Sequence, residues 1–127
     1  MRALVIDDSR AMRRIVSAAL EGFGYETRQA GHGQEALDVL QEGYAPDLCT
    51  IDWNMPVMDG LQFVMAVRAQ PAYRQVTLMM VTTESETGQI VKALAAGAHE
   101  YLIKPFTADA LRDKLALLGL LPAEVSA

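Results

Sequence analysis

Several absences narrow what this chain can be. One cysteine among 127 residues excludes an internal disulfide framework and fits a reducing compartment. No apolar run is long enough to span a bilayer. The opening run Ala3-Leu4-Val5-Ile6 stops at Asp7 and Asp8, far short of a signal peptide's core. The expectation is a cytoplasmic protein without membrane attachment. Positive charge is scarce: 11 Lys and Arg stand against 16 Asp and Glu, a net charge of −5. A nucleic-acid backbone is therefore a poor direct partner. Histidine and cysteine never group at zinc spacing. No linker, repeat or low-complexity tract appears, and nothing after Leu121 has the length of a second domain, so residues 1–127 read as one domain with one sizeable core.

What is present is an alternation of two periodicities. Ala3 to Asp7 reads as a short buried strand. Asp8 or Ser9 caps a helix with apolar positions Met12, Ile15, Val16, Ala19 and Leu20. Tyr25 to Ala30 is a more polar strand, and Gly31-His32-Gly33 turns into a helix carrying Ala36, Leu37 and Leu40. Leu48 to Ile51 delivers Asp52 to a strand end. Asp59 then caps a helix running to about Gln70, where Pro71 breaks it. Val76 to Thr82 suits a central strand covered on both faces, and Thr83 to Glu86 is a polar loop. Ile90, Val91, Leu94 and Ala95 form the next helical stripe, Tyr101 to Ile103 the last strand, and Ala110, Leu111, Leu115 and Leu118 the last helix. Five strands alternating with five helices predict a parallel sheet with helices on both faces.

The polar residues of this pattern gather at strand ends: Asp7 and Asp8 on the first, Asp52 on the third, Thr82 on the fourth, Lys104 on the fifth. Neighbouring strands lie about 5 Å apart, so side chains just past their ends converge. Three acids brought together repel one another unless a cation sits between them, and an all-oxygen set suits Mg²⁺ better than zinc. A hydroxyl and a fixed ammonium beside them match the oxygens of a phosphoryl group. The reading is a Mg²⁺-assisted phosphoryl site with Asp52 as candidate nucleophile. Each piece alone has a purely structural explanation: an N-cap at Asp7-Asp8-Ser9, a turn acid at Asp52, a structural Thr82, a solvated turn at Lys104-Pro105. Their joint order on successive strands points to chemistry.

That joint pattern carries a resemblance. Ile6-Asp7-Asp8-Ser9, the run Asp52-Trp53-Asn54-Met55-Pro56 with Met58-Asp59-Gly60, Val81-Thr82, and Tyr101 with Lys104-Pro105-Phe106 resemble the receiver domain of two-component response regulators, over nearly the whole chain. The resemblance implies a flavodoxin-like, doubly wound sheet of order 2-1-3-4-5, and a stand-alone receiver domain of chemotaxis type with no output domain, most simply a monomer. It implies that Asp52 accepts a phosphoryl group from a histidine kinase. Mg²⁺ would be held by Asp8 and Asp52 side chains, by the backbone carbonyl of Asn54, and by Asp7 largely through water. Lys104 would hold a phosphoryl oxygen, and the Lys104-Pro105 bond would be cis. Thr82 and Tyr101 would be the switch residues, Thr82 moving toward the phosphoryl group and Tyr101 turning into the space it leaves. Asn54 and Glu84 would tune self-dephosphorylation, with identities that imply a short-lived signal.

Some residues depart from the chemotaxis pattern. Thr83 stands where a smaller alanine is usual, and Glu86 and Thr87 where lysines begin the fourth helix. The expected output face is thus less basic, which leaves the target open between a flagellar motor switch and a histidine phosphotransfer domain. Met12, Arg13 and Arg14 are a candidate docking face for a kinase, with a solvated helix face and a core Met12 as the alternative. Trp53 is expected at the rim of the site, Cys49 in the core, His32 and His99 on the surface, and most of the seven methionines in the core. Gly31-x-Gly33 follows the wrong strand and lacks the third glycine of a dinucleotide loop. A Mg²⁺ phosphatase acting through an aspartyl intermediate is the rival from another class. It would need a second acid two residues after the nucleophile, where this chain has Asn54.

Overall fold

A computed structural model describes residues 1–83 and 87–122, with Thr87 described by its backbone alone. Strands and helices alternate along it: β1 (Arg2–Ile6), α1 (Arg10–Gly22), β2 (Glu26–Ala30), α2 (Gly33–Gln41), β3 (Leu48–Ile51), α3 (Gly60–Arg68), β4 (Thr77–Thr83), α4 (Thr87–Ala96), β5 (Glu100–Lys104) and α5 (Ala108–Leu117). The strands form one parallel sheet of order β2-β1-β3-β4-β5, as the resemblance implied. Among the described residues no helix is long and apolar enough to cross a membrane.

Strand periodicity splits the core into two layers. Leu4, Ile6, Cys49, Ile51, Leu78 and Met80 point to the face packed by α2, α3 and α4, where Val39, Leu40, Phe63, Val64, Val67 and Ala93 meet them. The intervening Ala3, Val5, Leu48, Met79, Val81 and Leu102 meet Val16 and Leu20 of α1 and Leu111 and Leu115 of α5. Leu78, Met79 and Met80 are at most 1% exposed, and burying each such side chain contributes about 1.5–3 kcal/mol. The edge strand β2 is polar because only Ala30 is buried along it.

Helix boundaries follow local chemistry. Ser9, not Asp8, caps α1, its side chain accepting from the Met12 N–H. Asp59 caps α3 in a reciprocal box with Gln62. That helix stops at Arg68, short of the expected Gln70, and Pro71–Tyr73 adds a single 3-10 turn. Strand β4 runs one residue later than its apolar run suggests, from Thr77 to Thr83, so Thr83 belongs to the strand and not to the loop. Glu84 and Glu86, together with the side chain of Thr87, lie outside the described residues.

Two helical stripes are narrower than their apolar residues. Ile15 is 54% exposed on α1; Val91 is 71% and Leu94 38% exposed on α4. On α4 the core face is Ile90 and Ala93, because only part of the helix circumference reaches the sheet. The methionines divide as well. Met55, Met79 and Met80 are buried, Met12 and Met58 pack partly against the core, and Met1 and Met65 are exposed.

The end of the sheet opposite the strand carboxyl termini is tied by Arg68. Its guanidinium donates to the carbonyls of Gly97 at 3.0 Å and Val76 at 2.8 Å, and lies 3.2 Å from His99 Nδ1. His99 Nδ1 also accepts from the Leu78 N–H at 3.2 Å, while the His99 N–H donates to the Leu78 carbonyl at 2.8 Å. His99 is thus on the surface as expected, but it has a fixed structural task. Gly97 is required here: its φ is +124°, and a Cβ would sit 2.6 Å from Arg68 Cγ.

Candidate functional site

Sheet register builds the site. Ile6 lies beside Ile51, and Ile51 beside Met80, so β1 and β3 end level and the residues after them stand side by side. Asp52 donates its N–H to the Ile6 carbonyl at 2.9 Å, and Asp7 donates its own to Ala30 at 3.1 Å. The chain passes from β1 to the β2 edge and returns to β3 on the other side, so this crevice is the switch point of the sheet, where open α/β sheets bind ligands.

Three carboxylates meet there. Asp7, Asp8 and Asp52 each offer an oxygen within 4.8 Å of the others, Asp7 and Asp52 buried and Asp8 exposed. Lys104, the last residue of β5, reaches in from two strands away. Its Nζ is 3.0 Å from Asp7 Oδ2 and 3.2 Å from Asp52 Oδ1. Thr82, one residue before the end of β4, is 1% exposed. Asn54 is exposed at the mouth, and Trp53 packs partly against the core beside it. The Lys104-Pro105 bond is cis. Tyr101 is half-buried on β5, with Lys114 Nζ 4.4 Å from its ring centre.

The electrostatics follow from one ammonium among three acids. Burial, then the charge of Asp7, pushes the Asp52 carboxyl up from 3.8 to about 6, against the pull of Lys104. Asp52 therefore remains mostly ionised at neutral pH. Burial also works against the charge of Lys104, but its hydrogen bond to Asp7 and the charge of Asp52 outweigh it and hold the ammonium above its ordinary value. An all-oxygen donor set with negative charge in excess fits a hard divalent cation.

Neighbouring groups fix this geometry. A Cβ at Gly60 would come 2.6 Å from the Asp52 carbonyl, so α3 can start against the end of β3 only with glycine there. Asp7 is held twice more, by the Ser9 N–H on Oδ1 at 2.9 Å and by Arg13 Nη1 on its carbonyl at 2.7 Å. Sequence reading assigned Arg13 to a docking or solvated face and missed this contact. The available signal was its place one turn into the helix that follows Asp7. Beside the site, Met12, Ile15, Thr83, Pro105 and Phe106 with Lys104 line an apolar hollow of about 350 Å³, which explains the exposure of Ile15.

Residues 3–116 match the family described as the response regulator receiver domain. The chain belongs to that family. This receiver domain is 42% identical to the chemotaxis protein CheY homolog of Campylobacter jejuni over 116 residues, covering 91% of this chain and 89% of that one. It superposes on the chemotaxis response regulator CheY4 of Vibrio cholerae with a TM-score of 0.83 at 38% identity, covering 92% and 97% of the two chains. The receiver domain of a sensor histidine kinase from Pseudomonas aeruginosa, solved with magnesium coordinated in its active site cleft, gives a TM-score of 0.81 at 28% identity, with 91% and 94% covered. Among the described residues of this receiver domain, the acidic cluster of Asp7, Asp8 and Asp52 is the group suited to such an ion.

Proposed function

We propose that this receiver domain is a phosphorylatable switch that accepts a phosphoryl group on Asp52 from a histidine kinase and thereby changes its affinity for a protein partner. The observation that carries the reading is the bridge of Lys104 Nζ to Asp7 and Asp52 inside the three-carboxylate crevice. An Asp52 oxygen forms a bond to phosphorus as the phosphorus–nitrogen bond of a phosphohistidine breaks, and the electron pair leaves with the imidazole. Lys104, already bonded to the acceptor, then pairs a phosphoryl oxygen. Asp7, Asp8 and Asp52, with the Asn54 carbonyl, would hold Mg²⁺, which supplies positive charge to the phosphoryl oxygens. Thr82 near the end of β4 and Tyr101 on β5 are the residues through which occupancy would reach the outer face, as a shift between two populated states.

We read residues 1–127 as a single receiver domain acting through binding rather than as an enzyme on an external substrate, and as a cytoplasmic monomer. Asn54, in place of a second acid, disfavours phosphatase turnover. The chemotaxis relatives favour a chemotaxis role, with a flagellar motor switch as target. A relay intermediate that passes phosphate to a histidine phosphotransfer domain is the alternative, and phosphate-dependent motor-switch binding against onward transfer separates the two. The primary test is reaction with acetyl phosphate and Mg²⁺, read by intact mass and Trp53 fluorescence. One phosphoryl group should appear in wild type and none in Asp52→Ala. Equal phosphorylation of the variant would refute the assignment. Asn54 and Glu84 imply a short-lived phosphoprotein, and persistence for hours in Mg²⁺ would refute that part.

A further inference from the structure

Three of the eleven basic residues gather at the start of one helix. Arg10, Arg13 and Arg14 fall within the first five residues of α1, whose first turn holds no acid. A helix N-terminus already carries partial positive charge. Arg10 also stands three and four positions before its companions, the spacing at which like charges on a helix meet and repel. Arg2, Arg28, Lys104 and Lys114 have acid partners, whereas Arg68, Arg74, Lys92 and Arg112 have none among the described residues. Among the described residues, no carboxylate lies within 4.0 Å of the Arg10, Arg13 and Arg14 guanidinia either. Real proteins break such local rules at functional sites.

The three arginines line one cavity of about 380 Å³, together with Gln29 and Gly31 at the end of β2 and Glu35 of α2. Glu35 is its only acid, and Oε2 of that side chain already accepts the Gly31 N–H at 3.2 Å. Arg13 is anchored by its 2.7 Å bond to the Asp7 carbonyl, so one corner of its guanidinium is fixed and its other N–H groups remain to bind. A side chain at Gly31 would start 3.6 Å from Arg13 Nη1 and 3.5 Å from Glu35 Oε2, partly filling the space.

The geometry points to an oxyanion site separate from the acceptor crevice, in which Arg10, Arg13, Arg14 and the Gln29 amide hold the phosphate group of a small soluble molecule. A dianion there relieves the repulsion among the guanidinia, offers paired acceptors to their donor forks and complements the helix end. The site is linked to the crevice through Arg13. An anion that draws Arg13 away loosens its bond to Asp7, the residue that holds Lys104. That consequence rests on the proposed function of Asp52; anion binding itself does not.

Inorganic pyrophosphate, titrated into the full chain in chelator at constant ionic strength, is the probe, with backbone amide shifts as readout. Saturable shifts centred on Arg10 to Arg14, Gln29 and Gly31 are expected, with affinity falling at least tenfold in the double variant Arg10→Gln, Arg14→Gln. That variant should be at least as stable as wild type, since it removes repulsion. Lys104→Ala and Asp52→Asn should bind pyrophosphate normally, so a failure of phosphorylation would leave this result standing. Binding that survives the arginine changes but disappears in Lys104→Ala would overturn the site in favour of the acceptor crevice. Shifts that grow without saturating would overturn it as well.

Discussion

Replacing Asp52 should make the protein more stable, not less. Asp52 is 8% exposed and sits beside two other acids with one ammonium to share. Its carboxyl titrates at about 6 rather than 3.8. At about 1.4 kcal/mol per pH unit, keeping that group charged in the folded state costs about 3 kcal/mol at neutral pH. Water at the mouth of the crevice and rearrangement of Lys104 reduce the expected gain in Asp52→Asn to about 1–2 kcal/mol. For a chain of this size that corresponds to a melting temperature higher by about 4–8 °C. The sign of the pH dependence follows. A raised folded pKa means the native state binds more protons than the unfolded chain between 3.8 and about 6. The contribution of Asp52 to stability is thus fully present below the unfolded value and lost as pH rises through about 6. Urea or thermal melts in chelator should show a wide gap between variant and wild type at about pH 8 and a nearly closed one at about pH 4. Magnesium should also close the gap by stabilising wild type, by about 2.7 kcal/mol at a hundredfold excess over its dissociation constant. A variant less stable than wild type at high pH, or a gap that does not change with pH, would refute the repulsion argument.

Three further outcomes concern other parts of the fold. His99 titrates below its ordinary value because burial, then Arg68, disfavours its charge. Its share of stability is therefore present above the unfolded value and fades as pH falls below it; His99→Ala should cost about 1–2 kcal/mol near neutrality and flatten that part of the curve, and an unchanged profile would refute the role. Val57 has φ +69°, is 77% exposed and centres a tight turn closed by the Met58 N–H on the Pro56 carbonyl at 2.7 Å. Val57→Gly should raise stability by about 0.5–1 kcal/mol, the relief of left-handed strain less the extra freedom of unfolded glycine, and a lower urea midpoint would contradict this. Cys49 is fully buried and its thiol is pushed up to about 12 by that burial. A thiol reagent should label it only as fast as the protein unfolds, and prompt labelling of the native chain would show the strand open.

The parts of the molecule legible in the sequence were those written in local chemistry. The apolar run Leu48 to Ile51 does deliver Asp52 to a strand end, and Asp59 does cap the next helix. Strand order and the cis peptide came with the family resemblance, because no local signal encodes which strands become neighbours. Helical spacing located α1 and α4 but overestimated their buried faces at Ile15, Val91 and Leu94, since periodicity gives a direction and not the width of contact. The tie between Arg68 and His99 spans 31 positions and follows no period at all. Val57 was hidden for the opposite reason: a β-branched residue is the last expected in a left-handed turn.

The lysine that balances the crevice arrives late. Lys104 is 97 positions from Asp7 and 52 from Asp52, and it joins them only when β5 pairs with β4, Thr83 beside Lys104. During synthesis, which adds about 5–20 residues per second from the N-terminus, the nascent chain therefore carries its acids for seconds before their counter-charge exists. A partly made chain would hold mutually repelling carboxylates without their counter-charge, so it could not settle into the native sheet. Completion of the fold and neutralisation of the crevice would become the same event, set by the arrival of the last strand.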